Sequence, residues 1–233
     1  MTYIMSDLHG HYAKYLAMLD KIAFSDDDDL YILGDVVDRG PQSAELLLDM
    51  SMRPNVYPIL GNHDRMAAVV LRKFCSPIEE ETCADLETDS VIKLMAAWQL
   101  DGGNATLDSF KKRTPDEREA LLDYLDEFLP YEYMEGNGHK FLLVHGGIPF
   151  GKRHLPMEQQ DISDLLFERP DYNLRYYGNI TLVTGHTPTV TIDPSYRGKI
   201  YHNNGHLAVD CGAGFGLPLG CVRLEDFKEF YVN

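Results

Sequence analysis

Short apolar runs alternate with polar loops and with helical periodicity from the first residues onward. Thr2 to Ser6 is strand-like and ends in Asp7-Leu8-His9-Gly10, after which Tyr12 to Ile22 carries apolar residues at helical spacing. The same order returns twice. Leu30 to Leu33 runs into Gly34-Asp35-Val36-Val37-Asp38-Arg39-Gly40-Pro41 and a helical Ala44 to Met52; Val56 to Leu60 leads into Gly61-Asn62-His63-Asp64 and a helical Met66 to Phe74. Such alternation predicts an α/β fold with parallel strands, whose polar loops gather at the carboxyl ends of those strands.

From about Cys75 to Pro130 the pattern is helical, including Val91 to Leu100 and Pro115 to Phe128, so 75–130 is expected as a helical insertion or cap. Strands resume at Tyr131 to Glu135, Phe141 to Val144 and Thr181 to Thr184. The last two end in His145-Gly146-Gly147 and Gly185-His186-Thr187-Pro188. The tail from Thr189 is Gly-rich with short alternating runs and predicts an antiparallel second sheet. Asp26 to Asp29 lacks the alternating ligands and distal Glu of a calcium loop and is expected as a solvated turn.

Composition narrows the class. With 44% hydrophobic and 25% charged residues, the 233-residue chain has the make-up of one globular domain, expected over 1–233. No stretch approaches the roughly 20 apolar residues of a membrane helix, and no basic-then-apolar leader opens the sequence. Cys75, Cys83, Cys211 and Cys221 form no CxxC pair and are expected as reduced thiols, which points to a cytoplasmic protein. The net charge of −16 disfavours nucleic acid and anionic membrane as partners. It would repel a phosphate too, so a phosphate site here must bring its own positive charge, as bound divalent metals do.

Five polar clusters lie at strand ends: Asp7 with His9, Asp35 with Asp38, Asn62 with His63, His145, and His186. One alone would be an ordinary turn or a structural histidine. Together they form a carboxylate, imidazole and amide set suited to Mn, Fe or Zn rather than to thiolate-bound zinc. In their order and spacing these motifs, Asp-Leu-His-Gly, Gly-Asp-Val-Val-Asp-Arg-Gly, Gly-Asn-His-Asp, His-Gly-Gly and Gly-His, resemble the signature of the phosphoprotein phosphatases, a branch of the calcineurin-like metallophosphoesterases. The resemblance spans about 180 residues and implies a β-sandwich of two mixed sheets flanked by helices.

The resemblance also implies roles. Asp7, His9 and Asp35 would hold one divalent ion, and Asp35 would bridge to a second held by Asn62, His145 and His186, with manganese the first choice of metal. Two ions about 3.5–4 Å apart can share a hydroxide that attacks phosphorus in line. His63 would protonate the leaving group, with Asp38 orienting its ring. Arg39 would grip the phosphate, and Leu165-Leu166-Phe167-Glu168-Arg169 resembles the segment bearing a second phosphate arginine, which makes Arg169 the candidate. Arg65 is a rival expected to face outward or to support. Cys211 stands where the family usually has Thr and is expected as a small buried residue.

Two departures, Asp64 where most eukaryotic members have Glu and Pro41 after the Asp-Arg-Gly triplet, are shared with bacterial symmetrical dinucleoside tetraphosphate hydrolases. Those hydrolases generally lack the acid at the Asp38 position. The expected activity is therefore hydrolysis of phosphomonoesters, with phosphoserine and phosphothreonine proteins as substrates and phosphotyrosine as a further class. Symmetrical hydrolysis of a dinucleoside tetraphosphate, or of another nucleotide, is the alternative, and a non-catalytic binding scaffold the remote one; the partner is expected to be a phosphorylated protein or a small phosphoester.

Overall fold

The computed structural model describes residues 1–75, 87–136 and 138–233. Residues 76–86 of the expected insertion, including Cys83, lie outside it. The chain begins β1 (Thr2–Met5), α1 (Tyr12–Ile22), β2 (Asp29–Leu33), α2 (Ser43–Ser51), β3 (Val56–Ile59) and α3 (Asn62–Cys75). Helices α4 (Glu87–Trp98), α5 (Asn104–Phe110) and α6 (Pro115–Asp126) follow, then β4 (Tyr131–Gly136), β5 (His139–Val144), α7 (Ile162–Phe167) and β6 (Ile180–Thr184). The chain ends with α8 (Thr189–Ile192), β7 (Tyr201–Asn203), β8 (His206–Ala208), β9 (Leu219–Arg223) and β10 (Lys228–Val232).

Two five-stranded sheets result, ordered β10-β9-β1-β2-β3 and β4-β5-β6-β8-β7. β1, β2 and β3 are parallel in the first, and β5, β6 and β8 in the second. The period-two pattern explains the layering. On β1, Ile4 faces the second sheet, where it joins Phe141, Leu143, Val183 and Leu207. Its neighbours Tyr3 and Met5 face the helices, where they join Met18, Leu47 and Leu71. The outer face of the second sheet packs Leu142, Val144 and Leu182 on Leu165 and Tyr176. Each sheet is thus apolar on both faces, as its near-continuous apolar runs require.

The expected antiparallel sheet in the tail is corrected. β7 and β8 join the second sheet, where β8 runs parallel to β6. β9 and β10 cross back to add antiparallel strands beside β1. β9 is almost wholly buried, so it needs a neighbour on both edges, the second sheet on one face and helices on the other, which the flank of β1 provides. Helix α3 also starts earlier than its apolar spacing suggested. The Asp64 carboxylate accepts the Gly61 N–H at 3.0 Å, half of a capping box, and so draws Asn62 and His63 into the first turn.

Candidate metal centre

Because the two parallel triplets end at one rim, the polar clusters meet there: Asp7 and His9 after β1, Asp35 after β2, Asn62 and His63 after β3, His145 after β5, His186 after β6. The loops are tightly laced. The Asp7 and His9 N–H groups donate to Gly34 O and Asp35 O at 3.0 and 2.9 Å, and Asp64 Oδ1 accepts from Val36 N at 2.9 Å. Asp7, His9, Asp35, Asp38, Arg39 and His186 all have left-handed φ, between 44° and 76°. Backbone strain of this kind persists only where surroundings impose it, and it clusters at functional sites. Gly34 shows how tight the junction is, since a Cβ there would lie 2.6 Å from both Gly61 Cα and His145 Nδ1.

Asp35 lies at the centre of two groups of close donor atoms, one with His9 and His63 and one with His145 and His186. His145 Nε2 is 3.2 Å from Asp35 Oδ1 and 2.9 Å from Asn62 Oδ1. Its Nδ1 meets the Leu33 carbonyl at 2.7 Å, so Nδ1 carries a proton. Nε2 then faces two acceptors and must either hold a second proton or direct its lone pair at a cation. His9 is tethered alike, with Nδ1 3.0 Å from Val37 O and Nε2 turned toward Asp35 at 3.9 Å. Backbone-tethered imidazoles whose Nε2 atoms are turned toward a shared carboxylate suit divalent metal ions. Asp7 lines the same cleft but belongs to neither group, its Oδ2 accepting Ser6 Oγ–H at 2.5 Å and His186 N–H at 3.0 Å.

His63, a member of the first group, has a further partner of its own. Its Nδ1 is 2.7 Å from Asp38 Oδ2, while Nε2 stays 4.0 Å from Asp35. Asp38 is wholly buried and also accepts Trp98 Nε1–H at 2.7 Å and Thr106 Oγ1–H at 2.6 Å. Burial raises the Asp38 carboxyl against the pull of His63 and these donors. For His63, burial opposes the charged ring, but Asp35 and Asp38 outweigh it and the net shift is upward.

Arg39 Nη1 donates to His9 Nε2 at 2.7 Å, and its guanidinium lies 4.5 Å from the Phe215 ring centre. A cleft of about 260 Å³ holds Arg39, Arg169, Asn62, His63 and His186 in its lining. Arg65 is exposed on another face, beside Leu60 and Val69. Cys211 is buried against the Gly220 backbone, and burial pushes its thiol up.

Sequence reasoning missed Asp101, Asp210, Phe215, Trp98 and Thr106. The first three line the cleft, and the last two hold Asp38. Asp210 lies two residues past the end of β8, so the strand-end rule could have found it. Trp98 is the only tryptophan, and its ring fits because a Cβ at Gly103 would lie 2.3 Å from it.

A sandwich with this imidazole and carboxylate rim has the donor set that divalent metal ions require. The chain belongs to the calcineurin-like phosphoesterase family, whose model matches residues 2–219. A symmetrical bis(5'-nucleosyl)-tetraphosphatase of Wigglesworthia glossinidia brevipalpis is 31% identical over 98 residues, 41% of this chain and 36% of that one. The enzyme of the same name from Pseudomonas fluorescens (strain SBW25) is 31% identical over 158 residues, 64% of this chain and 43% of that one. These alignments span less than half the length of either relative. Among solved structures, one named as a candidate diadenosine tetraphosphatase is similar at TM-score 0.67 and 16% identity, covering 99% of this chain and 92% of that one. A serine/threonine phosphatase from Saccharomyces cerevisiae is similar at TM-score 0.61 and 13% identity, covering 100% and 80%. Likenesses at this identity speak for the fold alone.

Proposed function

We propose that the protein hydrolyses phosphomonoesters, with phosphoserine and phosphothreonine in proteins as its substrates. The observation that carries this reading is the buried His63–Asp38 pair. An alkoxide leaving group must be protonated as it departs, whereas a phosphate leaving group is stable as an anion and needs no acid. A chain that buries a carboxylate under three side-chain donors in order to aim one imidazole is equipped for the harder leaving group.

In this reading Asp7, His9, Asp35, Asn62, His145 and His186 hold two divalent ions, manganese by preference. The ions, when bound, supply a nucleophile from water and offset phosphoryl charge. Arg39 and Arg169 grip the phosphoryl oxygens, their planar forks suited to two at once. His63 gives the proton at Nε2, and Asp38 holds the ring's orientation through Nδ1.

A second reading, symmetrical cleavage of dinucleoside tetraphosphates, is favoured by the names of the curated relatives. Rates on phosphoserine and phosphotyrosine peptides and on diadenosine tetraphosphate, measured side by side with added manganese, distinguish the two. A large kcat/KM advantage for the dinucleotide would overturn the first. Inactivity on every phosphoester, an activated aryl phosphate included, would overturn both.

A further inference from the structure

Asp101 and Asp210 line the cleft with no part in the roles above, and of the two only Asp101 is exposed. Asp101 sits in a five-residue π-type turn, Gln99–Gly103, between α4 and α5, and its side chain is 55% exposed. Asp7, Asp35 and Asp210, the other carboxylates lining the cleft, are buried. Asp101 Oδ1 lies 3.1 Å from Arg39 Nη2, and Oδ2 lies 3.3 Å from His63 Nε2. The backbone fixes this position. Arg39 N–H donates to Gly102 O at 3.1 Å, and Gly102 has φ 108°, with room for a Cβ only 2.7 Å from Arg39 Cγ.

The atom that His63 Nε2 protonates is the leaving oxygen, so the group attached to that oxygen lies beside Asp101. We infer that Asp101 is a specificity residue that selects the leaving group by charge. It favours leaving groups that are neutral or cationic next to the scissile oxygen and disfavours those that continue as a phosphate chain. The class that fits is a phosphorylated peptide segment with Lys or Arg flanking the phospho-residue. The net charge of −16 draws the same class toward the protein. Exposed apolar surface beside the carboxylate, from Leu100 at 91% and Phe215 at 64% exposure, can cover the stems of such side chains. The inference rests on the reading of His63 as the acid.

The test compares the manganese-loaded protein with its Asp101→Asn variant. The substrates are a phosphoserine peptide flanked by Arg, the same peptide flanked by Glu, 4-nitrophenyl phosphate and diadenosine tetraphosphate. A unit charge about 5 Å away at an open cleft mouth is worth about five- to tenfold in kcat/KM. The unaltered protein should prefer the Arg-flanked over the Glu-flanked peptide, and the variant should lower that ratio at least about fivefold, the remainder being the attraction of the whole acidic surface. Each ratio is taken within one preparation, so partial loss of folding or metal cancels. An equal peptide ratio in the two proteins overturns the inference. If the peptides are not turned over and the dinucleotide is, the proposed function falls. The inference is then read from the ratio of dinucleotide to aryl phosphate, which must rise about five- to tenfold in the variant; an unchanged ratio overturns it.

Discussion

Asp38 is the residue on which the proposed acid chemistry turns. Three side chains donate to it, from Trp98, Thr106 and His63, so its charge is held where the imidazolium needs it. In the proposed mechanism His63→Asn lowers kcat about 10²–10⁴-fold and leaves both ions bound, because His63 is not one of the ligands. Metal analysis by atomic emission checks the second half, and loss of an ion would make His63 a ligand. Asp35→Asn should instead empty or disorder both positions. The pH profile carries a sign. His63 titrates above its ordinary 6.5, so turnover requiring its protonated form should fall as pH rises through that raised value. Asp38→Asn removes a stabilising charge and should move this basic limb toward lower pH; a limb that stays in place would separate Asp38 from the acid. The proposed ligand residues were legible because each follows a short apolar run and all but Asp7 stand beside glycine. Asp101 and Trp98 were not, since their partners Arg39 and Asp38 lie 62 and 60 positions away and only the folded chain brings them together.

At the scale of elements, the strand-to-loop junctions and the helical segment α4–α5 act together. The junctions hold six non-glycine site residues in left-handed conformations, and their close approach leaves no room for side chains at the crossing points. Gly34→Ala places a Cβ against the Gly61 backbone at φ 75°, and should cost at least about 1–3 kcal/mol of stability in chemical denaturation. The α4–α5 segment closes on the site through Trp98, the Gln99–Gly103 turn and Thr106. Trp98→Phe keeps most of the buried ring but removes the N–H that Asp38 accepts. It should lower kcat about tenfold with a smaller change in KM, since one hydrogen bond to a charged group is worth about 1.5–3 kcal/mol at most. Equal loss on kcat and stability alone, with an unmoved pH profile, would make the contact merely structural. The first three strand–helix units were readable because a period of two gives way to 3.6 at a polar cluster. The tail was not, because runs of three to five residues carry their face but not their neighbour, and β7–β8 and β9–β10 look alike in sequence while belonging to different sheets.

Across the whole molecule, the site concentrates charge that the polypeptide alone does not balance. Burial, with repulsion from Asp35, pushes Asp7 up to about 6 and Asp64 up to about 7. Burial lowers His9 to about 3 and His186 to about 4. For His145 burial opposes the charge, but Asp35 outweighs it and the ring is raised to about 10. In protein stripped of metal, these groups set how stability follows pH. Between about pH 4 and 6.5 the folded carboxyls hold protons that an unfolded chain has released, while folded His9 and His186 lack protons that an unfolded chain holds. The two contributions oppose each other. Above 6.5 the unfolded histidines are neutral, yet folded His145 stays protonated to about 10. The folded state then binds the extra proton, so stability is present below 6.5 and is lost as pH rises toward 10, by up to about 1.4 kcal/mol per pH unit for one proton. Divalent ions take over the charge that this proton supplies, and their binding should release it. Denaturation midpoints of chelator-treated protein should therefore fall between pH 6.5 and 9, and the stabilisation given by added manganese should widen over the same interval. Calorimetry of metal binding in buffers of different ionisation enthalpy should register the released proton near pH 8. A stripped protein whose midpoint stays level across that window would mean that His145 does not carry the positive charge beside Asp35.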